Sequence, residues 1–506
     1  MVGSILIGVD LGTSATKAAL YQPDGTLLAE ASVEVSLRYP TPGIVEQDQE
    51  DFYATASETV RRAIQESGID PREVAAIAFD SQMAGIGAVD EDFLPAIRFD
   101  SWLDMRCQPY IDALATDHAD AVTGIAGCPP TCAHAAKMLW WQHERPEEYR
   151  RIAKFLVPAG YVAGRLTGAK AADAFMDHTF LHFTGIADAR NGAWSHTLAE
   201  RLGIDLERMP RIVPPWEIVG EATPEAAHDF GLPAGVPVIA GAGDTAASAL
   251  GAGIVRPGML LDVAGTASVL AGCTDRFVAD VTNRTLLVMR SIVPGLWHPL
   301  AYIGGGGLAL SWFRDQFTGA VRDDPTLRET AYETLVEAAL RVPPGAEGLF
   351  FSPHLGGRIC PADPGRRGAW HGFSWGHSRA HFFRSVLESV AFEYSADLEI
   401  IESLAPGLER VEARVVGGGA RSRGWNQIKA DVLGVPYRPL ARADIATWGS
   451  AIVAGHAVGL IPDMVEAAAR ASEPVEAPTM PVPEATAIYR DIARDYIAWQ
   501  RGLDQR

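Results

Sequence analysis

The chain has 506 residues, 48% apolar and 21% charged, a globular balance with enough material for two large domains or three average ones. Its 43 Lys plus Arg against 63 Asp plus Glu give a net charge of −20, which disfavours nucleic acid as a partner, since that binding rests on neutralising phosphates with basic side chains. No stretch approaches the ~20 apolar residues of a membrane span, no signal-peptide pattern opens the chain, and five cysteines make no disulfide framework, so a soluble, cytoplasmic protein without a membrane partner is expected.

Glycine is the departure, 50 residues or about a tenth of the chain against a usual ~7%. Residues 5–9 predict a strand, broken by Asp10-Leu11-Gly12-Thr13-Ser14, and residues 16–21 a second. Pro23-Asp24-Gly25 is a turn tripeptide, and a third strand is expected over residues 26–37. Asp48 is placed to cap a helix whose Phe52, Ala56, Val60, Ala63 and Ile64 share a stripe. Strands follow at residues 74–79 and 85–89, and strands alternating with amphipathic helices put the chain in the α/β class.

Residues 129–232 are richer in helix patterns, Trp and His, without a sharp motif. There His134, His178 and His182 are scattered and suggest no metal; Cys128 and Cys132 read as buried thiols, and Trp140-Trp141 as packing. The pattern restarts at Val236: a strand over residues 236–240 runs through Gly241-Ala242-Gly243 into Asp244 and a small-residue helix. Residues 260–273 then repeat the N-terminal pattern, with Gly265-Thr266-Ala267 standing where Gly12-Thr13-Ser14 stand, which suggests a duplicated fold with one hairpin per half. Two further glycine runs, 304–307 and 417–419, each follow a strand and precede a helix; Pro474, Pro478, Pro481 and Pro483 mark a linker before a terminal helix.

A strand–Gly–Thr/Ser–strand turn directs N–H groups and hydroxyls into one concavity suited to phosphate oxygens. A carboxylate beside such a cradle is repelled unless a cation intervenes, so Asp10 implies Mg²⁺. Facing copies of the hairpin would clamp a polyphosphate, as phosphoryl transfer requires. Asp244, at a strand end flanked by glycines, is the candidate base that takes the proton of a substrate hydroxyl as it attacks a γ-phosphate.

These residues resemble the FGGY carbohydrate kinases, most of all their xylulokinase branch, over nearly the whole chain. The motifs are GVDLGTSATKAAL, GAGDTAASALGAG, DVAGTAS and GGGARSRGWNQIKADVLGVPY. The resemblance implies two ribonuclease-H-like domains of the actin/hexokinase type, 1–246 for sugar and 247–506 for nucleotide, closing over ATP, Mg²⁺ and a small sugar or polyol. It assigns Asp10 to the metal, Gly12, Thr13, Ser14 and Lys17 to the phosphates, and Gly265 and Thr266 to a second phosphate loop. Gly307, Gly418, Gly419 and Ala420 fall at the nucleotide, and Asp244 at the base. On the sugar side it implies Gln82, Met83, Trp102, Asp104, Arg106, Asp244 and Thr245. The sugar side departs from the family in four places: Ala84 replaces a His, Thr245 an Asn, Gly357 an acid, and Ser101-Trp102-Leu103-Asp104-Met105-Arg106 a Trp-Asn-Asp-Gly-Arg stretch, keeping its acid and Arg at the same spacing. A pocket that loses hydrogen-bonding groups changes which hydroxyls it accepts. The expected activity is therefore ATP-dependent phosphorylation of a small ketose, xylulose first, with ribulose, a tetritol or a glycerol-like polyol as alternatives. An actin-like ATPase or a sugar sensor is the competing class, and a homodimer the expected assembly.

Overall fold

A computed structural model describes residues 3–319, 325–440, 442–471 and 477–504. The first hairpin is Ile5–Leu11 paired antiparallel with Ala15–Tyr21, and Ile5–Leu11 also pairs parallel with Val74–Ser81. Adding Leu27–Glu34 on one side and Pro237–Gly243 and Ile218–Glu221 on the other completes a six-stranded sheet. The second half repeats this connectivity. Met259–Ala264 pairs antiparallel with Ser268–Gly272 and parallel with Glu412–Val416, inside a six-stranded sheet that also holds Leu287–Arg290, Trp297–Ile303 and Tyr437–Pro439. The duplicated hairpins thus sit at the same place in two equivalent sheets. A smaller four-stranded sheet, built from Glu46–Gln47, Pro95–Asp100, Ile86–Val89 and Lys154–Leu156, adjoins the first.

The helix Gln49–Ser67 shows how local sequence sets an element. Asp48 accepts a hydrogen bond from the Glu50 N–H, Gly68 ends the helix in the left-handed region, and the stripe Phe52, Ala56, Val60, Ala63 and Ile64 is buried. Two strands depart from expectation. The third stops at Glu34, where pairing with Ala15 ends. The strand expected to finish at residue 240 instead continues to Gly243. It does so through a bulge between Ile239 and Ala242, where Gly241 takes φ +76° and a Cβ would collide with the Phe79 carbonyl.

Each half has its own core, and a further cluster joins them through Ala76, Ala78, Leu250, Met259, Leu261, Trp448 and Ile452. In the second core Lys429 is paired with Asp262, both side chains wholly buried, and the Tyr394 hydroxyl donates to the same carboxylate at 2.8 Å. The helix Ile445–Ala457 belongs by sequence to the second half yet packs on Ile5–Leu11 of the first. Of the linker, Pro474 lies outside the described residues; downstream, Thr479 exchanges two backbone hydrogen bonds with Tyr437 before the helix Pro483–Asp504 begins. Among the described residues no helix is long and apolar enough to cross a membrane.

Candidate active site

Three adjacent strands of the first sheet end in carboxylates. Asp10 is in register with Asp80, and Asp80 with Ala242, two residues before Asp244. Neighbouring strands lie about 4.8 Å apart, so Asp10 and Asp80 stand side by side. Asp80 is fully buried; the Ser450 hydroxyl donates to its Oδ2 at 2.6 Å, Oδ1 meets no protein N–H or hydroxyl, and the side chain is also within hydrogen-bond reach of the Asp10 carboxyl. Burial raises Asp10, opposed by Lys17, which faces it directly across the hairpin. Burial and then the neighbouring Asp10 carry Asp80 well above the usual carboxylate range. Asp244 opens the helix Asp244–Gly251 and accepts hydrogen bonds from the N–H and hydroxyl of Thr245. Burial first, and Asp10 second, push its carboxyl up to about 7. Asp80 was not singled out by motif or spacing; an acid closing an apolar strand, AIAFD, is the signal that could have found it.

The glycine loops meet around this edge. Gly12 donates its N–H to the Ala15 carbonyl at 3.1 Å, shaping the turn that carries Thr13 and Ser14. Gly265, Thr266 and Gly307 touch one another: the Leu308 N–H donates to Thr266 O at 2.9 Å, and a Cβ on Gly307 would collide with Gly265 O. Gly417 and Gly419 are pressed against Ala264, and Gly419 also against Trp425, whereas a Cβ on Gly418 would meet nothing. Cavities of about 690 and 880 Å³ share Gly418, Arg421 and Arg423. Ala420 and Arg442 line the first; Arg314 and Tyr332 line the second, together with Glu329, Glu333 and Glu337. These arginines are basic groups that the motif reading left out.

The residues expected at the sugar divide into two sets. Gln82 and Trp102 join the first phosphate loop: the Trp102 indole N–H donates to Thr13 Oγ1 at 2.9 Å, and Gln82 Nε2 donates to Gln47, whose own Nε2 donates to Thr13 O. Met83 fills the space left by the missing Cβ of Gly243. Asp104 and Arg106, by contrast, are occupied with each other. Arg106 Nε and Nη2 reach the Asp104 carboxylate at 2.8–3.0 Å and Nη2 also reaches Glu46, while the guanidinium lies over Trp140 and Trp141. Asp104 is 2% exposed, so this pair braces the small sheet and offers no free charge.

Two histidines that look scattered in sequence back the same region. His134 Nε2 donates to Met83 O at 2.8 Å and His182 Nδ1 to Thr179 O at 3.0 Å, and Thr179 Oγ1 accepts from the Gly243 N–H. Burial pushes the two imidazoles down to about 4 and about 3, so both are neutral props. His178 turns instead to Ser291 O.

Family models decide what this arrangement belongs to. The model of the FGGY family of carbohydrate kinases, N-terminal domain, matches residues 5–251, and that of the C-terminal domain matches residues 262–458. The chain belongs to the FGGY family of carbohydrate kinases. As such it is an ATP-dependent sugar kinase of the actin/hexokinase fold. It is 27% identical over 466 residues to the xylulose kinase of Staphylococcus epidermidis, covering 91% of this chain and 89% of that one. It is 26% identical over 434 residues to the gluconokinase of Bacillus subtilis, covering 85% and 83%. Among solved structures, the xylulose kinase from Rhodospirillum rubrum superposes with a TM-score of 0.88 at 26% identity over 99% of each chain. In this kinase ATP is the phosphate donor and a small sugar the class of acceptor.

Proposed function

We propose that this kinase transfers the γ-phosphate of ATP to a hydroxyl of a small neutral ketose, with D-xylulose the first candidate, and that Asp244 is the general base. The carrying observation is the Asp244 carboxyl at the bulged strand end, set by the close packing of Gly241 on Phe79 and of Gly243 on Met83, beside the Asp10 carboxyl and with its pKa raised to about 7. A base poised near the working pH both exists deprotonated and accepts a proton with useful driving force. Gly12, Thr13, Ser14, Gly265 and Thr266 are read as the phosphate clamp, with Lys17 beside it. Gly307, Gly418, Gly419 and Ala420 are read as the nucleotide contacts, Gly418 and Ala420 bordering the arginine-lined cavities.

Mg²⁺ fits the residues present. Asp10 and Asp244 are half-buried acids beside the buried Asp80, with Lys17 the basic group facing Asp10, and one or two carboxylates with phosphate oxygens are what that ion takes. Bound there, it would neutralise charge on the β- and γ-phosphates. Asp10 is the residue that would hold it, while Gln82 and Trp102, each tied to Thr13 from a different strand end, orient the sugar.

Asp244 is ionised when it acts as the base, and with Asp10 and Asp80 it forms an acidic edge that disfavours an anionic acceptor and favours a neutral ketose over a sugar acid. Ala84 and Thr245 leave a pocket with fewer fixed hydrogen-bonding groups, and D-ribulose or a tetritol are the next acceptors to try. A panel of D-xylulose, D-ribulose, erythritol, glycerol and gluconate in a coupled ADP-release assay tests this. D-Xylulose should give the highest kcat/KM and gluconate the lowest. A gluconate preference would overturn the neutral-substrate reading, and no stimulation by any acceptor would overturn the proposal as a whole.

A further inference from the structure

The three carboxylates at the sheet edge are not equally accounted for. Asp244 has Thr245 as partner, and Asp10 faces Lys17. Asp80 has one oxygen held by Ser450; the other, Oδ1, is buried and meets no protein N–H or hydroxyl, the side chain's remaining hydrogen-bond neighbour being the Asp10 carboxyl, another acid. A buried carboxylate oxygen in that condition is costly to keep unless something fills the place. Its surroundings are acidic on both sides: Asp10 on one neighbouring strand and Asp244 at the end of the other. Two acids in such contact share a proton between them, and what can take that proton's place is a cation small enough to fit between strands about 4.8 Å apart.

We propose that Asp80 is a second carboxylate for the nucleotide-bound divalent cation, acting with Asp10, and that Ser450 is the positioning residue that fixes its orientation. This rests on the reading of Asp10 as the metal-side acid. A pair of carboxylates plus phosphate oxygens suits a hard ion that otherwise keeps its waters. Ser450 lies on the helix Ile445–Ala457, from the second half of the sequence, and is 370 residues from Asp80. The oxygen that faces the ion is therefore oriented by an element whose sequence neighbours, through Arg442, line the nucleotide cavity.

The test measures binding, not turnover. Mn²⁺ is titrated into the full-length enzyme with ADP present, and bound metal is read by electron paramagnetic resonance. ADP affinity is measured separately in excess EDTA. Asp80→Asn, nearly the same shape, should weaken Mn²⁺ binding at least roughly tenfold, the scale on which metal-site partners act. In EDTA the same variant should bind ADP as well as or better than wild type, because a charge that repels phosphate is gone. Ser450→Ala should give a smaller loss of Mn²⁺ affinity that Ser450→Thr restores. Unchanged Mn²⁺ affinity in Asp80→Asn, with a clear loss in Asp10→Asn, would overturn the role of Asp80 and leave Asp10 standing. Unchanged affinity in both would overturn the metal reading of this edge, and equal loss of ADP binding with and without metal would mark Asp80 as a purely structural group.

Discussion

Asp244, with a pKa of about 7, is half protonated near neutrality, and this single group ties activity to stability in opposite senses. As the base it works only when deprotonated, so kcat/KM should rise with pH and level off above about 7. Its folded pKa lies above the unfolded value of 3.8, so the folded state holds more protons between about 4 and 7 and loses stability as pH rises through that window. Asp244→Asn should therefore lower turnover by ~10²–10⁴-fold, leave ATP affinity near wild type, and raise the thermal midpoint at pH 8 relative to wild type. A flat pH profile, or near-normal turnover in the variant, would remove Asp244 from the chemistry. Asp244 was legible in sequence because glycines flank it on a strand end. Asp80 was not, because what distinguishes it is its register with Asp10 and a serine 370 residues away. Asp104 and Arg106 show the converse limit: a sequence places an acid and a base two residues apart, and only packing reveals that they serve each other.

At the scale of elements, glycine has a second use beside the phosphate loops. The helix Ile445–Ala457 crosses the helix Asp244–Gly251 and the strand Ile5–Leu11 at backbone distance. A Cβ on Gly449 would collide with Ala247 O, one on Gly251 with Ile445 O, and one on Gly8 with Thr447 O. Close approach of this kind places Ser450 against Asp80. The neighbours of these glycines are main chain and cannot swing aside, so Gly449→Ala should destabilise the fold by roughly 1–3 kcal/mol, the usual scale of overpacking. The measurement is the urea midpoint; an unchanged midpoint would mean the helices separate without cost. The hairpins, the capped helix Gln49–Ser67 and the glycine junctions were legible because their signals lie within a few residues. This crossing was not, since the three glycines come from distant segments and each looks unremarkable in its own run.

For the whole molecule, a charge of −20 and an anionic nucleotide look opposed. On the proposed reading the opposition would be met locally, by the N–H groups of the loops and by the arginines around the cavities at Gly418, of which Arg314 and Arg442 also pair with Asp315 and Asp444. That local field leaves water as the remaining competitor for the γ-phosphate, and closing the two halves matched by the family models, 5–251 and 262–458, over the substrates would exclude it. The crossing of Asp244–Gly251 with Ile445–Ala457 is where the halves share a core, so it is the place about which they would turn. Small-angle scattering should then give a smaller radius of gyration with a non-hydrolysable ATP analogue, Mg²⁺ and sugar together than with any one alone. The same ligands added to Asp244→Asn should still compact it, because closure depends on binding and not on proton transfer. If the radius stays constant across all these conditions, water is excluded by the loops themselves and the shared core is a rigid mount rather than a hinge.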